Sequence, residues 1–186
     1  MVKKSSKQLT KQVIRSKMLL QLKTHKEGEK KSKVIKAKLL KSRLFQKAKI
    51  VMFYLAFGGE VETEEMIKKA RKLGKIVAVP FCRQNRKLMR PCLLAVKPQL
   101  TKGPYAVLQP AQERLIGAKD LDLVIVPGLA FDRQGNRLGR GKGCYDYFLK
   151  KLSPAARSIG LAYKFQILPR LPVSSRDTKV NKVIFA

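Results

Sequence analysis

The chain has 186 residues, of which 42 are Lys or Arg and 12 are Asp or Glu, and its formal net charge is +30. With 45% hydrophobic residues it is too apolar for a disordered basic tail, and its length suits one domain with a packed core. The longest uncharged runs, Ile50–Gly59 and Gly103–Gln112, are ten residues each, too short for a membrane-spanning helix.

The first 50 residues carry 17 Lys or Arg and only Glu27 and Glu29 as acids, so half of the excess charge is concentrated there. Three readings fit this segment: a solvated face of two amphipathic helices, a nucleic-acid or anionic-surface patch, or an organelle transit peptide. A transit peptide is Arg- and Ser-rich, whereas Lys dominates here. Under each reading, so positive a field raises the on-rate of polyanions, ATP and polyglutamylated cofactors among them. Leu9, Val13, Met18, Leu19 and Leu22 recur at helical spacing, as do Val34, Ile35, Leu39, Leu40 and Leu44. That periodicity predicts helices over 5–24 and 28–45, broken near Gly28.

Ile50–Leu55 is short, continuous and rich in strand formers, as a strand buried on both faces should be. Thr63 reads as an N-cap with Glu64 and Glu65 in the first turn, where a helix dipole favours acids, and Gly74 closes that helix. Ile76–Val79 predicts a second strand stopping at Pro80. Leu88–Val96 predicts another, which Pro91 confines to an edge or a bulge. Residues 97–117 read as irregular connection with one short strand at Tyr105–Leu108. Leu121–Val126 is the clearest buried strand. A glycine-rich loop follows, then a helix over 143–152 and strands at Ser158–Ala162 and Val180–Phe185. Strand, helix, strand with later crossovers predicts an α/β fold, its sheet mostly parallel.

The residue inventory removes several chemistries. His25 is the only histidine, so a Ser–His–Asp triad would have to use it. Cys82, Cys92 and Cys144 are odd in number and form no C-x-x-C pair, against a structural zinc site. No secretory h-region opens the chain, so the expectation is reduced thiols and a cytoplasmic protein, with mitochondria as the alternative.

The informative stretch is Gly135-Asn-Arg-Leu-Gly-Arg-Gly-Lys-Gly-Cys-Tyr-Asp146. Gly139, Gly141 and Gly143 let the backbone turn tightly and bring N–H groups close to an anion. Arg137, Arg140 and Lys142 add three cations, and Asp146 can hold a divalent ion bridging phosphate oxygens. The loop lacks the G-x-x-x-x-G-K-[ST] spacing of a Walker A motif. A plain glycine turn with surface cations is the bland alternative; the three cations with a carboxylate favour nucleotide phosphates.

Pro127-Gly-Leu-Ala-Phe-Asp132 followed by that loop closely resembles the signature of the 5-formyltetrahydrofolate cyclo-ligase family, also called methenyltetrahydrofolate synthetases. Lys11-Gln-Val-Ile-Arg15, Leu55, Glu60-Val-Glu-Thr63, Pro80, Met89, Gln109-Pro110 and Ala162-Tyr-Lys-Phe-Gln166 with Asp177 match further family pieces in order. The glycine-loop signature is specific, and the resemblance covers nearly the whole chain. It implies a three-layer α/β domain, a mixed, mostly parallel sheet with N-terminal helices packed on it. Residues 1–45 would form a basic helical segment of that single domain and 46–186 its α/β core.

The resemblance implies conversion of 5-formyltetrahydrofolate and MgATP to 5,10-methenyltetrahydrofolate, ADP and phosphate. In this family the formyl oxygen attacks the γ-phosphate, and the folate N10 then closes the ring and expels phosphate. By position, Lys11 and Arg15 would reach ATP phosphates. Arg137, Arg140 and Lys142, with the backbone from Gly139 through Gly141, Gly143 and Cys144 to Tyr145, would hold the β- and γ-phosphates. Arg140 and Lys142 would be the catalytic cations. Asp146 and Asp177 would hold Mg²⁺, and Leu55 and Glu60 would meet the folate, with or without a polyglutamate tail. Cys144 stands where most relatives have the first of two tyrosines, and Asn181 replaces an acid common in the family. A basic, weakly active or inactive paralogue binding RNA or another polyanion is the alternative, as is another ATP-using ligase on the same fold. No RNA-binding motif with interleaved aromatics is visible, so nucleic acid is not favoured. A monomer without a membrane span is expected.

Overall fold

The computed structural model describes residues 10–83, 88–104 and 107–186. Helix α1 (Lys11–Thr24) starts at Thr10, whose hydroxyl accepts the Val13 N–H at 3.3 Å, the satisfaction an N-cap provides. It buries Ile14, Met18 and Leu22, one residue per turn on a single stripe. Helix α2 (Gly28–Leu40) buries Ser32, Ile35 and Leu39 in the same way. The helix predicted over 28–45 is in fact two. Ser42 takes extended dihedrals (φ −70°, ψ 128°), and α3 (Arg43–Lys47) restarts after it to bury Phe45. Leu9 and residues 5–8 of the first predicted helix lie outside the described residues.

Strand β1 (Ile50–Met52) is shorter than the predicted Ile50–Leu55. The Thr63 hydroxyl donates to the Tyr54 carbonyl at 2.6 Å, which satisfies that group outside any ladder and lets the chain bend away. Thr63 does precede α4 (Glu64–Lys72), but its side chain is spent on Tyr54 and caps no helical N–H. Helix α4 buries Met66, Ile67 and Ala70, and Gly74 at φ +74° turns the chain into β2 (Ile76–Cys82). That strand runs through Pro80 rather than stopping there. It pairs antiparallel with β3 (Met89–Leu93), and Pro80 lies opposite Pro91. Opposed residues in an antiparallel ladder alternate between bonded and non-bonded pairs, so two facing prolines on a non-bonded pair cost no ladder hydrogen bond.

Strands β4 (Leu100–Lys102) and β5 (Leu108–Pro110) form a separate ribbon. The strand predicted at Tyr105–Leu108 therefore sits later; Tyr105 and Ala106 lie outside the described residues. Strand β6 (Leu123–Val126) leads into a short hairpin of β7 (Ala130–Asp132) and β8 (Arg137–Leu138), where only a loop was predicted. Helix α5 (Cys144–Leu149), β9 (Arg157–Ala162), β10 (Ile167–Leu168) and β11 (Lys182–Phe185) complete the chain.

The main sheet has the order β11-β9-β6-β1-β2-β3, parallel throughout except for the edge strand β3. Alternate side chains feed two cores. Val51, Val77, Leu123, Ile125 and Ile159 pack with the buried stripes of α1, α2 and α4 on one face. Met52, Ala78, Val124 and Val126 pack with Phe131 and with Phe148 of α5 on the other. The result is the expected three-layer α/β arrangement. Among the described residues no helix is long and apolar enough to cross a membrane.

The strand order locates the site. The chain runs from β1 to β2 on one side, then lays β6, β9 and β11 on the other side of β1. In open α/β sheets such a reversal leaves a crevice beyond the carboxyl ends of the strands, where ligands bind. Here the crevice is bordered by the loop after β1, residues 53–63, and by the glycine-rich segment after β6, residues 127–143.

Candidate active site

Asp132 organises the glycine-rich segment. It is 1% exposed. Its Oδ1 accepts the N–H groups of Gln134 and Asn136, both at 3.0 Å, and its Oδ2 accepts from Asn136 Nδ2 at 2.7 Å and Leu171 N–H at 3.2 Å. Gly135 completes the turn at φ +83°, and a Cβ there would lie 2.3 Å from the Val180 carbonyl oxygen. In the sequence Asp132 stands out only as part of the motif; an Asp four residues before an Asn, with Gly between, is the turn signal that points to its role.

Beyond the hairpin, Gly141 and Gly143 adopt φ of +104° and +70°, a region L side chains rarely enter. Helix α5 has only six residues, so its macrodipole is small and an anion must rely on side-chain cations and loop amides instead. Lys142 is exposed and Cys144 is half-buried at the helix start.

Arg137 is placed differently from its two companions. Its side chain is 4% exposed. Its guanidinium donates to Asp146 Oδ2 at 2.9 Å and to the Pro127 carbonyl at 3.3 Å, and it lies 5.5 Å from the Tyr145 ring centre. Arg137 Nε and the Tyr145 hydroxyl are buried without a hydrogen-bond partner. Burial holds the Tyr145 phenol well above its ordinary pKa, so it stays a neutral donor. Gly139 admits this packing, because a Cβ there would meet Arg137 Nη1 at 2.7 Å.

Asp146 in turn is tied to the segment carrying Asp177. Its Oδ1 accepts the Thr178 N–H at 3.2 Å, and the Thr178 hydroxyl donates to the Asp146 carbonyl at 3.0 Å. Asp177 pairs with Lys11 of α1 and accepts the Ser174 N–H at 2.6 Å. Partial burial pushes the Asp177 carboxyl up, but Lys11 and the Ser174 amide outweigh it and hold it below the ordinary aspartate value. One turn along α1, Arg15 Nε donates to the Gly139 carbonyl at 3.0 Å. The structure thus brings Lys11, Arg15, Arg137, Asp146 and Asp177 together around the glycine loop.

The other wall is the loop after β1. Glu60 is buried, and burial raises its carboxyl pKa from 4.5 to about 7 despite the Arg140 charge beside it. Arg140 Nη2 lies 3.4 Å from Glu60 Oε1, and the guanidinium rests 4.3 Å from the centre of the Phe57 ring. The Phe57 N–H donates to Glu60 Oε2 at 3.4 Å, and Tyr163 donates to the Glu60 carbonyl at 3.2 Å. Leu55 is half-buried and packs against the main core. Phe57, Tyr163 and Thr178 join the site beyond the predicted residues; Tyr163 falls within the Ala162–Gln166 motif, Thr178 follows Asp177, and Phe57 lies between Leu55 and Glu60 with no motif of its own.

A mostly parallel sheet with a cation-bearing glycine loop at its switch point defines the class, an α/β protein with a crevice at the carboxyl ends of its strands. Residues 7–186 match the 5-formyltetrahydrofolate cyclo-ligase family, and the chain belongs to that family of carbon–nitrogen bond-forming ligases. Over 170 residues it is 34% identical to 5-formyltetrahydrofolate cyclo-ligase of Mus musculus, covering 86% of this chain and 84% of the mouse protein. The NMR structure of Aquifex aeolicus 5,10-methenyltetrahydrofolate synthetase superposes with a TM-score of 0.83 at 28% identity, over 95% of this chain and 90% of that one. A 5,10-methenyltetrahydrofolate synthetase from Mycoplasma pneumoniae shares the fold at a TM-score of 0.75 and 19% identity, over 95% of this chain and 98% of that one.

Proposed function

We propose that this protein converts 5-formyltetrahydrofolate to 5,10-methenyltetrahydrofolate, consuming MgATP and releasing ADP and phosphate. The carrying observation is Arg140. It reaches from the glycine loop to the buried Glu60, so one residue touches both the phosphate side and the folate side of the switch-point crevice.

The glycine loop suits a triphosphate. Its left-handed glycines free the backbone from Gly139 to Tyr145, Cys144 included, to turn N–H groups toward phosphate oxygens. Arg140 and Lys142 neutralise charge on the phosphoryl group in flight, where positioning and electrostatics do most of the catalytic work. Lys11 and Arg15 extend that cation set from α1. Arg137, locked on Asp146, fixes the carboxylate more than it contacts phosphate. Leu55 lines the folate subsite, and Glu60 accepts hydrogen bonds from the pterin N–H groups.

Mg²⁺, when bound, supplies charge neutralisation across the phosphate oxygens. Asp146 and Asp177 would hold it, since each keeps acceptor capacity beyond its present partners. Among the described residues no trio of His, Cys, Asp or Glu side chains converges. That fits an ion that takes one or two carboxylates and fills its shell with water and phosphate oxygens.

The test is a spectrophotometric assay for the methenyl product in the near ultraviolet. Product is expected only when ATP, Mg²⁺ and 5-formyltetrahydrofolate are all present, and Lys142→Ala should cut turnover by roughly 10²-fold or more. Undiminished turnover in that variant would remove Lys142 from the site, and a flat trace from folded wild-type protein would refute the activity.

A further inference from the structure

We infer that Arg140 couples the two halves of the site. In the free protein it occupies the carboxylate meant for folate; the terminal phosphates of a nucleotide draw it off, so nucleotide and folate bind with positive cooperativity. The inference rests on the reading of the site given above and adds to it a linkage between its two ligands.

The asymmetry of the Arg140–Glu60 pair carries the inference. Glu60 is fixed chiefly by burial and backbone: its side chain is 8% exposed and Tyr163 donates to its carbonyl at 3.2 Å, while Phe57 N–H reaches one carboxylate oxygen at 3.4 Å. Arg140 is loosely held: its side chain is 34% exposed, and its contact to Glu60 is 3.4 Å, longer than the ~2.7–2.9 Å of a good charge-assisted bond. When the pair separates, Arg140 is therefore the partner that moves. Its resting place is a berth made by the Phe57 ring and by the missing side chain at Gly58, where a Cβ would come within 2.9 Å of Nη2.

Separation leaves a buried carboxylate without its cation, an unfavourable state unless other donors replace it. A pterin ring offers adjacent N–H donors that meet a carboxylate in pairs. Without nucleotide, folate must displace Arg140 to reach Glu60. With a triphosphate bound, Arg140 has a stronger electrostatic partner and that competition is gone. Linkage requires the effect to be reciprocal, so folate must tighten triphosphate binding by the same factor.

Calorimetric titration of the full chain with 5-formyltetrahydrofolate tests this, alone, with saturating Mg²⁺ and β,γ-imido-ATP, and with Mg²⁺ and AMP. Folate should bind about tenfold tighter with the triphosphate analogue, within the usual range of coupling, and no tighter with AMP. The reverse titration should return the same factor. Gly58→Ala sets a Cβ against Arg140 Nη2 without changing a charge and should bring the factor toward one; because Gly58 sits at φ +60°, undiminished affinity for each ligand alone is the check that the loop has kept its shape. Glu60→Gln should abolish the factor as well, and circular dichroism reports whether each variant is folded. Independent binding of both ligands to the wild type overturns the coupling and leaves the proposed activity standing. Failure of either ligand to bind overturns both.

Discussion

Removing the Asp132 carboxylate tests whether one buried side chain holds the glycine-rich loop in shape. Four donors converge on it, two on each oxygen. In Asp132→Ala the buried N–H groups of Asn136 and Leu171 lose their acceptor, and each orphaned donor costs about 1–3 kcal/mol. The expected loss is therefore about 2–6 kcal/mol, a large share of the ~5–15 kcal/mol that holds a domain together. Asp132→Asn is the sharper variant. Whichever way its amide is turned, the NH₂ group faces two donors, so about half of that loss should appear without any change of volume. Urea unfolding reads both, and with m near 2 kcal/mol/M the alanine variant should shift the midpoint by ~1 M or more. Nucleotide affinity should fall in parallel, because β8 carries Arg137 directly from this turn. An Asn variant as stable as wild type would refute the reasoning, since it would mean the four bonds are not made together in solution.

The remaining predictions concern charge. Burial raises the Glu60 pKa from 4.5 to about 7, so the folded state binds more protons than the unfolded state between those values. Its contribution to stability is full below 4.5 and lost as pH rises to about 7, up to about 3 kcal/mol across the window. The stability–pH curve of Glu60→Gln should lack that decline when compared with wild type by chemical denaturation. Asn181 Oδ1 accepts the Ser158 N–H at 2.7 Å and its hydroxyl at 3.0 Å, so Asn181→Asp keeps both bonds. Its melting temperature should stay within a few degrees of wild type, and a larger fall would show that the amide NH₂ is needed. Raising ionic strength should lower kcat/KM for the anionic substrates more than kcat, because exposed lysines steer encounter through a screened field. An equal fall in both would place the charge effect in the chemical step.

Much of the architecture was legible because hydrophobic period and turn residues agree with the tertiary structure. Leu123–Val126 is buried without a break, and the apolar stripes of α1 and α2 face the sheet as their spacing requires. The failures have local causes that a one-dimensional pattern cannot carry. The helix over 28–45 breaks at Ser42, a choice made by how Phe45 reaches the core. Strand β1 ends at Met52 because a hydroxyl nine residues away takes the Tyr54 carbonyl. Pro80 failed as a stop signal because a second proline faces it across the ladder. Each depends on a partner distant in sequence.

The candidate site was legible as a set of residues but not as a set of pairings. Three cations in the glycine loop look equivalent in sequence, yet their burial separates them. Arg137, on a strand inside the hairpin, is turned inward and neutralised by Asp146, whereas Arg140, two residues beyond the strand, crosses the crevice to Glu60. Three positions of sequence thus divide a buried, paired cation from a partly exposed one. The same holds for the basic N-terminal segment. Its excess charge suggested a solvated face, but Lys11 and Arg15 spend theirs on Asp177 and on the Gly139 carbonyl. Net charge alone could not say which lysines matter. Lys11 and Arg15 lie on the same face of α1 as the buried Ile14, Met18 and Leu22, so burial of that stripe is what brings both cations to the loop.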